Sequence, residues 1–284
     1  MTEIKLGNYE VKSGDEVVPR FSALIWGQAG CGKTTLAATA PGKKLWINFD
    51  PDGPSSITGL RRMHEGKDTA LANEILILDL SDQPNRVVDG FKRDDHLKLG
   101  AVLSDDSIGI ETVIVDSLTR VSQMAQEHAI ASGMHGKATI EKPGISVYGA
   151  RNALTYRVVM DILTTTKKHN KNIIFITHEG APNTNDDGIV QFITMSLGGQ
   201  LPQLSTSQLS EVWFMTDTGK ERRIAVRPVR GYKPMKTRMF DVSDGNFEFK
   251  WDYNINTPNP KMEIASWYKE FADGNGKKLK LPKV

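Results

Sequence analysis

The stretch Phe21-Ser-Ala-Leu-Ile-Trp-Gly-Gln-Ala-Gly-Cys-Gly-Lys-Thr-Thr35 decides the fold. Its first six residues, mostly apolar, predict a buried β-strand that runs directly into a loop with glycines at positions 27, 30 and 32. A helix is predicted over residues 34–39, because Pro41 and Gly42 follow as a helix-breaking pair. Glycine backbones can wrap around an anion, and a helix start offers unpaired N–H groups. A phosphate-binding loop is therefore predicted here.

The loop matches the pattern Gly-x-x-x-x-Gly-Lys-Thr, in the strand-loop-helix context that this motif requires, which disfavours a coincidental turn. The predicted nucleotide-binding residues are Gly27, Gln28, Ala29, Gly30, Cys31, Gly32, Lys33, Thr34 and Thr35. Lys33 is expected to reach the β- and γ-phosphates during catalysis, and the Thr34 hydroxyl is expected to ligate Mg²⁺. The motif thus predicts a P-loop nucleoside triphosphatase with ATP and Mg²⁺ as ligands.

Short apolar runs alternate with helical patterns along most of the chain. Further strands are predicted at 45–49, 75–78, 112–115 and 173–176, with a long amphipathic helix at 151–169. Near-continuous apolar strands separated by helices indicate an α/β fold with a mostly parallel central sheet flanked by helices. Antiparallel edge strands are predicted near the C-terminus, at 211–215 and 222–229. The division into regions is an N-terminal arm (1–19), a core (20–250) and a C-terminal extension with a basic tail (251–284).

Composition narrows the class of protein. The chain is 39% hydrophobic and 25% charged, as expected for a globular enzyme. It contains one cysteine, so an intramolecular disulfide is excluded, and its start lacks the pattern of a secretory signal. No apolar run approaches the roughly 20 residues that a membrane-spanning helix needs. A cytoplasmic location with no membrane partner is predicted.

Charge is concentrated in residues 220–238, called the basic strip below. It holds eight basic residues against one acid, Glu221. Such a local excess favours phosphate-bearing partners. A solvated pair of strands with long charged side chains remains the alternative interpretation.

Three further positions follow predicted strands, at the edge where open parallel sheets place their ligands. Asp116 ends the strand at 112–115 and is predicted to reach the metal, although an aspartate there could instead cap a helix. Asp50 and Asp52 follow the second strand and are candidates to orient the attacking water, with a role in the turn as the alternative. His178 follows the strand at 173–176, where it could sense the γ-phosphate or simply bond a backbone carbonyl.

The order of these motifs resembles the RecA-type ATPase core over roughly residues 20–240. The similar segments are 45–52, 75–84, 112–117 and 173–178. The resemblance implies that Asp52 is the catalytic, water-orienting residue, and that His178 stands where RecA usually has a glutamine. It also implies that Lys236 and Arg238 act on the ATP of a neighbouring subunit. Their alternative role is to extend a DNA-binding strip.

The short chain is most similar to phage core-only RecA relatives, which include single-strand annealing proteins. This resemblance implies ATP hydrolysis, slow or DNA-stimulated, by a protein acting on single-stranded DNA in phage-type recombination, annealing or repair. It implies self-association into a ring or filament, contact with a single-strand DNA-binding protein, and the host cytoplasm as location. The expected DNA-binding residues are Lys137, Lys142, Tyr148, Arg222, Arg223, Arg227 and Arg230. A nucleotide-switched regulatory or assembly ATPase that binds protein is the alternative function.

Overall fold

The computed structural model describes residues 4–6, 9–11, 20–51, 53–81, 93–133, 139 and 142–283. The helices are α1 (Lys33–Ala38), α2 (Gly53–His64), α3 (Arg93–Ser104), α4 (Leu118–Ala131), α5 (Ile145–Lys168), α6 (Leu201–Ser207) and α7 (Ile264–Asp273). The strands are β1 (Ile4–Leu6), β2 (Tyr9–Val11), β3 (Ser22–Gly27), β4 (Lys43–Asn48), β5 (Ile75–Asp79), β6 (Ile110–Asp116), β7 (Asn172–His178), β8 (Asn183–Thr184), β9 (Val190–Phe192), β10 (Glu211–Asp217), β11 (Arg222–Ala225) and β12 (Glu248–Lys250). Within these ranges, no helix is long and apolar enough to cross a membrane.

Eight strands form the central sheet in the order β12-β11-β10-β3-β7-β6-β4-β5. The six strands from β10 to β5 are parallel, and β11 and β12 continue the sheet antiparallel at one edge. The predicted fold class is therefore confirmed. The assignment of 211–215 as an antiparallel edge strand is wrong, since β10 lies inside the sheet and runs parallel to β3. Every residue of β3 is buried, as expected for a strand with neighbours on both sides and layers on both faces.

Two hydrophobic clusters cover the two faces of this sheet. One contains Val121 of α4 and Val159 of α5, which pack against the residues of β3, β6 and β7 that face these helices. The other contains Leu36 of α1 together with Trp213 of β10 and Trp267 of α7. Successive strand residues point to opposite faces, so the strands feed both clusters alternately. The sheet is thereby fixed firmly enough to position the residues at its carboxyl edge.

The C-terminal region packs onto the core through polar as well as apolar contacts. The backbone N–H of Ile264 donates to Thr39 Oγ1 at 3.0 Å, and Glu263 accepts from Thr69 and Tyr253 at 2.5 and 2.9 Å. Near the chain end, the N–H of Leu279 donates to the Met239 carbonyl at 2.9 Å. The three-region division remains a prediction, but residues 251–283 share the core's packing.

Residues 179–199 contain the antiparallel β8–β9 pair. Each of these strands is only two or three residues long, too short to produce a periodic pattern in the sequence. The Asn185 side chain closes the turn between them, accepting from the N–H of Ile189 at 2.8 Å. The hairpin places a defined structure directly after the end of β7.

Candidate nucleotide-binding site

The glycine loop leaves the carboxyl end of β3 and enters α1. Gly27, Gly30 and Gly32 have φ angles of 153°, 77° and 100°, which side chains rarely tolerate. A Cβ on Gly27 would lie 2.1 Å from the Met215 carbonyl oxygen on β10, whereas a Cβ on Gly30 would meet nothing within 4 Å. The loop is therefore pressed against the sheet on one side and open on the other. That open cradle fits a polyphosphate.

Lys33 is buried inside this loop. Its Nζ donates to the carbonyls of Gly27 and Gln28 at 3.0 and 2.6 Å, and burial lowers its pKa. An ammonium has three N–H donors, and the third makes only a long contact to Cys31 Sγ at 3.8 Å, which a phosphate oxygen could replace. The loop thus holds the Lys33 ammonium at the place where a bound polyphosphate would lie.

Thr34 and Asp116 meet across the sheet edge, with the Thr34 hydroxyl donating to Asp116 Oδ2 at 3.3 Å. Burial, followed by the nearby charge of Asp50, raises the pKa of Asp116 to about 7. A hydroxyl and a carboxylate together suit Mg²⁺, which takes few protein ligands and completes its shell with phosphates and waters. The capping alternative for Asp116 is wrong, because the N-cap of α4 is Ser117, which accepts from the N–H of Arg120.

Asp50 lies close enough to this centre for its charge to affect Lys33, Asp116 and His178. Its carbonyl accepts from Asn48 Nδ2 at 2.7 Å, which fixes the start of the turn after β4. Asp52, the favoured water-orienting residue, lies outside the described residues. The choice between the two aspartates remains a prediction.

His178 ends β7 beside the loop. Its backbone N–H donates to Thr119 Oγ1 at 2.9 Å, and its carbonyl accepts from the N–H of Ser196 at 2.7 Å. Burial, followed by the charge of Lys33, lowers the pKa of its imidazole, which favours the neutral ring. Both backbone groups are thus fixed from opposite sides, and a role in sensing remains a prediction.

Glu179 is the residue that sequence reasoning missed as a site member. Its N–H donates to the Gly27 carbonyl at 2.9 Å, and burial raises the pKa of its carboxyl, which Gln28 hydrogen-bonds. Among the described residues, no partner meets its buried Oε2. The signal in the sequence was its place directly after His178. A carboxylate here is a third candidate to orient water, beside Asp50 and Asp52.

The basic strip is less positive than its sequence indicates. Arg223 bonds Glu221 and Glu248 at 2.6 Å each, and Arg230 bonds the same Glu248 oxygen at 2.6 Å. Arg222 bonds Asp217 at 3.0 Å. These acids neutralise much of the local charge. Arg227 is half-buried, and its role, like those of the other three, remains a prediction.

A polar cavity of about 310 Å³ lies between α4, α5 and residues 180–198. Arg151 lies on its wall, donating to the neutral side chains of Gln126 and Asn152 at 3.3 and 3.2 Å. The guanidinium also lies 5.0 Å from the ring centroid of Tyr148, which is 42% exposed. Lys142 is exposed shortly before α5, and Lys137 lies outside the described residues.

Lys236 and Arg238 flank the opposite end of β10, since Lys236 pairs with Val212. Lys236 Nζ donates to the carbonyls of Leu209 and Thr206 at 2.7 and 3.4 Å, while Arg238 is exposed. Within its own chain, Lys236 therefore satisfies one carbonyl in the last turn of α6 and one just after it. Action on a neighbouring subunit remains a prediction for both residues.

The model of the AAA domain family matches residues 20–243. No curated protein matches the chain significantly. Among solved structures, the crystal structure of the RadB recombinase is similar at 15% identity and a TM-score of 0.47, over 84% of this chain and 90% of that one.

Proposed function

We propose that this chain, which belongs to the AAA domain family, binds and hydrolyses Mg·ATP and couples that cycle to single-stranded DNA in recombination, annealing or repair. The observation that carries the nucleotide part is the Thr34–Asp116 contact beside the open glycine cradle. The DNA part is supported by the Arg151 cavity, whose wall residue Thr119 also bonds the backbone of His178.

With Mg·ATP bound, Lys33 would contact the terminal phosphates, and Thr34 and Asp116 would hold the metal. The metal would supply neutralisation of the triphosphate's negative charge. Asp52, or its neighbour Asp50, accepts a hydrogen bond from the attacking water and so orients it. His178, held at both backbone groups, detects the presence of the γ-phosphate through its ring.

Arg151 and Tyr148 suit a single strand for chemical reasons. A guanidinium that donates to the neutral side chains of Gln126 and Asn152 retains its attraction for phosphate, and a half-exposed aromatic ring can stack a base. Lys142 adds a positive charge near the start of α5. The host-cell setting and any single-strand DNA-binding partner are part of the same proposal, as is self-association.

One observation favours a second candidate, a regulatory or assembly ATPase that binds protein. Residues 179–199 contain Asp186 and Asp187 and no lysine or arginine, which is unfavourable for a segment that contacts a phosphate backbone. The ion pairs of Arg222 and Arg223 also favour the regulatory candidate, because their charge is already neutralised within the chain. The proposed DNA contacts therefore lie on α5 and on the residues just before it, at Lys142, Tyr148 and Arg151.

A filter-binding titration with single-stranded DNA, with and without ATP, tests the proposal. The double variant Lys142→Ala/Tyr148→Ala should weaken DNA binding by about tenfold, since base stacking on an aromatic contributes about 1–3 kcal/mol. Lys269→Ala, at an exposed site on α7, is the matched control and should leave affinity unchanged. ATP binding without DNA binding at any ATP concentration would support the regulatory function instead.

A further inference from the structure

The turn between β10 and β11 projects beside the glycine loop. Met215 of β10 pairs with Gly27, the first residue of that loop. β10 ends two residues later at Asp217, which pairs with Arg222 at the start of β11. Residues 217–222 therefore lie at the carboxyl edge of the sheet, immediately next to the loop.

Arg222 faces the loop, whereas its neighbour Arg223 does not. Residues of a strand alternate between faces, so Arg222 shares a face with Ile224, which packs in the same cluster as Leu36 of α1. Its Cδ lies 3.5 Å from the position that a Cβ on Gly32 would occupy. Arg223 shares its face with Ala225, a member of the opposite cluster. The two arginines thus belong to different sides of the sheet.

The ends of the triphosphate can be assigned from the same strand order. Asp116 ends β6 and His178 ends β7, and both strands lie on one side of β3. The metal and terminal phosphate bind toward that side, through Thr34 and Asp116. β10 and β11 lie on the other side of β3. The nucleoside end of the ligand is therefore directed toward the turn at residues 217–222.

We infer that Arg222 forms the nucleoside subsite of the nucleotide-binding site, with its guanidinium plane against the base of the bound nucleoside triphosphate. This inference rests on the proposed Mg·ATP binding. Asp217 positions the side chain, since its Oδ2 accepts from Arg222 Nε at 3.0 Å and its Oδ1 accepts from the N–H of Gly219 at 2.7 Å. A guanidinium stacks on flat π-systems and keeps four further N–H donors for the ribose or base edge. On this assignment Arg222 would serve the nucleotide, whereas the sequence predicted it as a DNA-binding residue.

Isothermal titration of Mg·ATP and of Mg·tripolyphosphate, which lacks a nucleoside, tests the assignment. Arg222→Ala should weaken ATP binding by about tenfold and leave tripolyphosphate binding unchanged, because the lost contact is with the base. Arg222→Lys should be weakened as well, since it keeps the charge and loses the plane. Arg223→Ala, one residue away on the opposite face, should bind both ligands as the wild type does. Urea unfolding of each variant confirms that the fold is retained.

Each other result overturns the inference in an identifiable way. Equal weakening of ATP and tripolyphosphate by Arg222→Ala would place the contact on the phosphate chain. Unchanged ATP affinity together with weakened single-stranded DNA binding, matched by Arg223→Ala, would return Arg222 to a DNA-binding strip. A wild-type protein that binds neither ATP nor tripolyphosphate would refute the proposed function itself, and the nucleoside subsite with it.

Discussion

Two alanine substitutions in the glycine loop should separate folding from ligand binding. Gly27 and Gly30 both have positive φ angles, so alanine is strained at either position by about 1–2 kcal/mol. Only at Gly27 does the new methyl also meet backbone, 2.1 Å from the Met215 oxygen. At Gly30 it enters the open cradle.

The magnitudes follow from this difference. Overpacking against a rigid neighbour costs about 1–3 kcal/mol more, so Gly27→Ala should lose about 2–5 kcal/mol of unfolding free energy in total. The loss is large because the Cβ pushes β3 away from β10 inside the central sheet. Gly30→Ala should lose only the conformational part, about 1–2 kcal/mol, yet bind Mg·ATP poorly since its methyl occupies phosphate space.

Urea unfolding followed by tryptophan fluorescence measures the first quantity, because Trp26 and Trp213 are buried in the two strands concerned. Calorimetric titration of Mg·ATP at low temperature measures the second. Equal stabilities for the two variants would refute the reasoning about the Gly27 contact. Wild-type ATP affinity in Gly30→Ala would refute the assignment of the open side of the loop to phosphate.

Two further predictions concern the catalytic carboxylate and a buried lysine. Asp52→Asn should keep ATP affinity and lose hydrolysis in a phosphate-release assay, with a milder effect for Asp50→Asn; the reverse order would transfer the role to Asp50. Burial lowers the pKa of Lys44 from 10.5 to about 7. Between those values the unfolded chain holds a proton that the folded chain lacks, so unfolding free energy should rise with pH, by at most about 1.4 kcal/mol per unit. Lys44→Met should remove this rise in urea titrations at pH 7 and 9.5, and an identical slope in both proteins would contradict it.

The central sheet was predictable because its strands are short apolar runs buried on both faces. The positions of Asp116 and His178 at the ends of β6 and β7 were predictable for the same reason, whereas their roles remain predictions. In both cases a local pattern carries the information, and the parallel arrangement then brings distant strand ends to one edge.

The electrostatics of the basic strip could not be predicted from local sequence. Glu248 lies 25 residues beyond Arg223 and reaches it only because β12 pairs with β11. The place of Glu179 beside Gln28 was likewise not predictable, because it depends on the contact between the ends of β3 and β7. Such contacts are set by strand order, and strand order is not written in the periodicity of any single segment.

The same strand order explains how a nucleotide could influence the Arg151 cavity. Thr119 lines the cavity. Its Oγ1 accepts from the backbone N–H of His178 and lies 2.9 Å from Thr177 Oγ1. The His178 carbonyl holds the N–H of Ser196, another residue of the cavity wall. If His178 shifts when the γ-phosphate is lost, as its proposed sensor role requires, it would displace both cavity walls, because neither hydrogen bond can lengthen far without breaking. The proposed function therefore predicts that nucleotide state and cavity shape are linked through two hydrogen bonds at a single backbone position.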